Sequence, residues 1–220
     1  MIEAVLFDLD GTLSDPKVGI TRSIQFALSA LNCWVPEQDD LLWCIGPPLR
    51  QCFAQLLQTS DSALIDRAIN LYRDRFSSIG LFENDLYPEI PSVLRALREF
   101  GYQCFVATSK PQVFARQIIE HFQLTSLLDG IYGSELDGTR SDKGELIQHI
   151  LQVEQRSPQI CLMVGDRSHD MIGAKRNRLA TIGVTYGYGT AAELTAHGAD
   201  YLAHNPKEII SVFESFYSKP

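Results

Sequence analysis

The sequence predicts an α/β fold: a doubly wound parallel sheet carrying an inserted all-helical cap domain. Three observations predict it. A short apolar run at the start of the chain ends abruptly at Asp8. From Gly101 onward, further short apolar runs alternate with helical stretches of roughly 10–15 residues, the signature of βαβ units. Between the two lies a block, from about Ser14 to Asp85, with helical spacing and no convincing strand.

The opening "MIEAVLFDLDGTLSD" reads as a strand up to Phe7, followed by Asp8, Asp10, Gly11 and Thr12. Two acids at the mouth of a buried strand are costly to hold close together, so they need a purpose. The helical block then shows Ile20, Ile24, Ala27, Leu28 and Leu31 on one face, then "PLRQCFAQLL" and "ALIDRAINLYRDRF". We assign residues 14–85 to the cap and residues 1–13 with 86–220 to the core, with hinges near Leu13–Pro16 and Glu83–Pro88.

The core resumes with "YQCFVATS", an apolar run ending in hydroxyls, then a helix in "PQVFARQIIEHF". "DGIYGS" is a strand, "DKGELIQHILQV" a helix, "ICLMVGD" a strand and "HDMIGAKRNRL" a helix. "TIGVTYG", "AAELTAHG" and "DYLA" continue the alternation, and "PKEIISVFESFY" closes it with Pro206 in its first turn.

The 220 residues suffice for one α/β domain with an insertion, and 45% are apolar, which excludes a disordered chain. The net charge is −8 and no Lys/Arg-rich run occurs, which argues against nucleic acid or an anionic membrane as partner. The five cysteines, Cys33, Cys44, Cys52, Cys104 and Cys161, form no CxxC and read as free thiols of a reducing compartment. No stretch approaches the roughly 20 apolar residues that cross a bilayer, and the first apolar run is broken by Asp8, so the expected location is cytoplasmic.

Open parallel sheets bind ligands beyond the carboxyl ends of their strands. The residues there are Asp8 and Asp10, then Thr108 and Ser109, then Asp166 with Asp170 four positions on. Gathered carboxylates repel unless a cation joins them, and an all-oxygen set suits Mg2+. Thr108 and Ser109 stand where a strand is expected to turn into a helix, a good place for an anion. Lys143 begins a helix, where a cation is locally unfavourable unless it faces a phosphate or an Asp. A carboxylate beside Mg2+ can attack phosphorus, and a second can protonate the leaving oxygen and then activate water.

These motifs, "DLDGTL", "TSK", Lys143 and "GDRSHD" in that order, resemble the haloacid dehalogenase superfamily. More narrowly they resemble its phosphoglycolate-phosphatase-like group, whose helical cap follows the first motif. The resemblance implies a Rossmannoid core, Asp8 as nucleophile, Asp10 as acid/base, and Thr108 and Lys143 on the phosphate. It implies Mg2+ held by Asp8, the main-chain carbonyl of Asp10, Asp166 and Asp170. It implies a phosphatase for a small phosphorylated metabolite, phosphoglycolate first and a 5′-nucleotide close behind, working as a monomer or homodimer. A β-phosphoglucomutase-type isomerase is less favoured because Thr12 follows "DG". Asp10 speaks against dehalogenation, which lacks an acid there. Arg50 in "GPPLR" is the cap residue expected to reach a substrate anion; "YGYGT" is expected to be structural, His169 exposed, and Trp34 and Trp43 cap core or lid contacts.

Overall fold

The computed structural model describes residues 2–217 and divides the chain into two units. One comprises residues 1–15 and 86–220, the other residues 16–85. The division falls close to the sequence boundaries, but Ser14 and Asp15 group with the α/β unit.

In the α/β unit, strands β1 (Ala4–Phe7), β4 (Gln103–Pro111), β5 (Gly130–Ser134), β6 (Cys161–Gly165), β7 (Ala180–Val184) and β8 (Tyr201–Ala203) form one sheet in the order β5-β4-β1-β6-β7-β8. Every neighbouring pair runs parallel. The connecting helices are α4 (Ile90–Glu99), α5 (Gln112–His121), α6 (Lys143–Val153), α7 (Ser168–Arg176), α8 (Ala191–Ala196) and α9 (Pro206–Tyr217). The two-residue strands β2 (Ser14–Asp15) and β3 (Asp85–Leu86) mark the points where the chain passes between units.

The inner strands β1 and β6 are continuous buried runs because both faces of the sheet are covered there. Ala4, Leu6, Phe105, Ala107, Met163 and Ile147 share one buried cluster. Strand β1 is central, with Phe7 level with Val106 on one side and Val164 on the other. The chain winds from β1 outward to β5, then returns beside β1 and winds the other way, so the switch point lies at the carboxyl end of β1.

One local expectation needs correcting. Strand β4 continues through Thr108, Ser109 and Lys110, with a shift of register between Ala107 and Pro111, and α5 begins only at Gln112. Ser109 therefore does not cap that helix. Helix α4, unassigned from the sequence, is strongly amphipathic and buries Ile90, Val93, Leu94 and Leu97.

The helical unit contains α1 (Lys17–Ala30), α2 (Leu49–Leu56) and α3 (Ser62–Arg75), with shorter 3-10 and π turns. Asp61 caps α3 by accepting from the Ala63 amide at 2.9 Å. Tyr72 stacks on Phe76 at 5.2 Å between ring centroids and meets Phe53 edge-on. Trp34 is 78% exposed, so it is not part of the cap core. All five cysteines are free, and all but Cys33 are buried.

Candidate active site

The level ends of β1, β4 and β6 bring three strand-terminal segments together. Asp8 follows Phe7, and its amide donates to the Val164 carbonyl at 2.9 Å. Asp166 follows Gly165 at the end of β6, and Asp170 lies in the first turn of α7. One carboxylate oxygen from each of Asp8, Asp166 and Asp170 lies within 4.8 Å of the other two. All three side chains are buried.

Lys143 stands among them. As the first residue of α6 it is 4% exposed, and its ammonium lies 2.8 Å from Asp8 Oδ1 and 2.7 Å from Asp170 Oδ1. It also donates to the Ala107 carbonyl at 2.8 Å. Burial alone would lower its pKa, but Asp170 and Asp8 outweigh that and hold it raised. The sequence expectation of a lysine facing an Asp or a phosphate is met on the Asp side.

Asp10 is not one of the three clustered acids, although the charge of Asp8 reaches it. Its Oδ1 meets the ammonium of Lys110 at 2.9 Å. Burial raises the Asp10 carboxyl, and Lys110 opposes the rise. Lys110 is 8% exposed and was missed in the sequence, where a lysine beyond an apolar run reads as a surface residue. Its amide donates to Thr108 Oγ1 at 3.2 Å, which fixes the Thr108 hydroxyl at the end of the apolar part of β4. Ser109 is turned elsewhere: its hydroxyl donates to the Ser141 carbonyl at 3.0 Å, tying β4 to the loop that leads into Lys143.

The loops around the acids are shaped by close approach. Gly11 has φ +83°, and a Cβ there would lie 2.2 Å from Asp166 Oδ2. A Cβ on Gly189 would lie 1.9 Å from the Asp166 carbonyl oxygen, so the "YGYGT" turn lies directly against the acid. From that turn the Tyr188 amide donates to Asp166 Oδ2 at 2.8 Å. The Asp170 Oδ2 accepts from the Arg167 amide at 3.1 Å. His169, expected to be exposed, is half-buried, and its Nδ1 is enclosed without a hydrogen-bond partner. Arg50 pairs with Asp66 within the helical unit and is half-exposed.

Four buried carboxylates thus face two buried ammonium groups. Asp166 Oδ1 is buried with no hydrogen-bond partner, and burial with the charges of Asp170 and Asp8 pushes its carboxyl well above the usual range. Burial likewise raises Asp170, against the pull of Lys143. An excess of buried negative charge with an orphaned oxygen fits a divalent cation, and the all-oxygen donor set fits Mg2+ rather than a softer metal.

The profile of the haloacid dehalogenase-like hydrolases matches residues 5–184. The chain belongs to that family. A 5′-nucleotidase of Pseudomonas aeruginosa is 50% identical over 96% of this chain and 95% of its own. A crystal structure described as a predicted phosphatase from Clostridium acetobutylicum superposes with a TM-score of 0.93 at 40% identity, over 97% of this chain and 99% of the other. A phosphoglycolate phosphatase of Vibrio vulnificus is 27% identical over 96% of each chain. The protein is therefore a haloacid dehalogenase-type phosphatase with the predicted α/β core. Its family is generally Mg2+-dependent, and it carries a buried acidic triad. Among the described residues, no helix is long and apolar enough to cross a membrane.

Proposed function

We propose that the protein hydrolyses small phosphomonoesters through an aspartyl-phosphate on Asp8, with 5′-nucleotides ahead of phosphoglycolate as substrate. The single observation that carries the chemistry is the buried group of Asp8, Asp166 and Asp170 bridged by Lys143. The order of substrates follows the 50% identity to a 5′-nucleotidase against 27% to a phosphoglycolate phosphatase.

Asp8 attacks phosphorus as the bond to the leaving oxygen breaks. Asp10 gives that oxygen its proton, then takes a proton from water, whose oxygen displaces Asp8 and releases phosphate. Lys143 and Thr108 hold the phosphoryl oxygens. Asp8, Asp166, Asp170 and the Asp10 carbonyl would hold Mg2+, which when bound offsets the negative charge of the phosphoryl group and its nucleophile.

The test is phosphate release from a panel of 5′-nucleotides, phosphoglycolate and sugar phosphates, with Mg2+ and with EDTA. Release should need Mg2+ and be lost in Asp8→Asn with the fold intact. Full activity in EDTA refutes the metal assignment. Turnover of the Asn variant within about tenfold of the parent refutes Asp8 as nucleophile.

A further inference from the structure

We propose that Lys110 is a positioning residue that acts through Asp10, holding one carboxylate oxygen so that the other serves the leaving group. The inference rests on Asp10 as proton donor, the reading given above.

The two buried lysines divide the site between them. Lys143 is engaged by Asp8, Asp170 and the Ala107 carbonyl. The ammonium within 2.9 Å of Asp10 is that of Lys110. Its position is set by an irregular stretch of strand. The register of β4 against β5 shifts between Ala107 and Pro111. Within that stretch the Ser109 hydroxyl is tied to Ser141, and the Ser109 carbonyl accepts from the Ser134 hydroxyl at 2.8 Å. The Lys110 amide is tied to Thr108. The backbone at 108–110 is therefore pinned on both sides, and the lysine side chain starts from a fixed point.

Stability does not explain such a residue. A surface-capable lysine extends its ammonium to water, whereas this one is 8% exposed. A buried ion pair is in general no more stabilising than apolar side chains of the same volume. What the pair does supply is geometry. Asp10 Oδ1 is ion-paired with the Lys110 ammonium at 2.9 Å, which favours one orientation of the carboxyl. In the first transfer, the Asp8–phosphorus bond forms while the bond from phosphorus to the ester oxygen breaks. The Asp10 proton passes to that oxygen, and the carboxylate left behind faces the Lys110 ammonium.

This predicts an effect that depends on the leaving group. A nucleoside 5′-oxygen departs badly without a proton, whereas p-nitrophenolate departs without one. The experiment compares adenosine 5′-monophosphate with p-nitrophenyl phosphate in single turnover with enzyme in excess and Mg2+ present, so that only the first transfer is read. Lys110→Met, close in length and apolar, should slow release of adenosine by about 100-fold and release of p-nitrophenolate by less than about threefold. Apparent substrate affinity should stay near the parent's for both. Lys110→Arg should recover part of the adenosine rate, and Asp10→Asn should show the same split as Lys110→Met.

If Asp10→Asn shows the split and Lys110→Met slows neither ester or both equally, the positioning assignment is overturned and the proton-donor reading survives. If Asp10→Asn shows no split, the proton-donor reading falls, and the proposal with it. Lys110→Met leaves a buried carboxylate without its counter-charge and should melt below the parent; a far-UV circular dichroism spectrum that matches the parent's at the assay temperature separates the rate effect from partial unfolding.

Discussion

Removing Lys143 tests the electrostatics of the site without reference to any substrate. The side chain is 4% exposed and lies within 2.8 Å of two buried carboxylates. Lys143→Met keeps most of the volume and leaves Asp8 and Asp170 facing each other without their counter-charge. Breaking a buried pair from one side costs about 3–5 kcal/mol. Proton uptake sets a similar ceiling, since protonating a carboxyl of ordinary pKa at pH 7 costs about 4 kcal/mol. At about 2–4 °C per kcal/mol for a chain of this size, the melting temperature in EDTA should fall by about 6–20 °C. Adding Asp170→Asn to the variant removes one of the stranded charges, so the double variant should regain at least about 1 kcal/mol over Lys143→Met. Differential scanning calorimetry in EDTA reads both numbers. A loss below about 1 kcal/mol for Lys143→Met, with no recovery in the double variant, would show that the two carboxylates do not depend on this ammonium and would refute the charge argument.

Two further expectations follow from neighbouring features. Gly11→Ala puts a Cβ where Asp166 Oδ2 now lies, at a φ of +83°, so it should lower phosphatase activity by about 100-fold; steady-state kinetics within about threefold of the parent would contradict the close-approach argument. In the helical unit, hydrogen bonds from Arg75, joined by Arg22, hold the Glu83 carboxyl below the usual carboxylate range. A carboxyl lowered on folding stabilises the fold above its unfolded pKa, and that contribution disappears as pH falls through the folded value. Glu83→Gln should therefore melt below the parent at pH 7, and the gap should close toward pH 3; a gap unchanged with pH would contradict the assignment.

Strands β1 and β6 were legible because both their faces are buried, so each reads as an unbroken apolar run with an Asp just beyond it, whereas the two-residue β2 and β3 carry no such run. Asp8 and Asp166 were legible for the same reason, each bordering such a run with a group that burial would otherwise reject, and Lys143 was legible as a cation at a helix start. Lys110 was not. Its significance depends on β4 running past its apolar part with a shifted register, and that shift leaves no mark in the spacing. The tie from Ser109 was not legible either, since its partner Ser141 lies in a loop with no periodicity. The "YGYGT" glycines were recognised as structural, but nothing in their spacing says that the surface they accommodate is Asp166. Trp34 shows the limit of composition: a large apolar side chain does not say which side of a short helical unit it faces.

The placement of β1 carries a consequence for how the chain is made. Its four residues precede every other strand of the sheet along the chain, yet they occupy its centre, and Ala4 pairs with Gln103 on one side and Cys161 on the other. Until β6 has been synthesised, the strand that bears Asp8 has at least one unpaired edge. The helical unit, built from contacts among consecutive segments, closes on itself long before then. Long-range parallel pairing is slow and leaves apolar edges open to other chains. Asp8 thus precedes every other strand end of the sheet along the chain and is among the last to be enclosed.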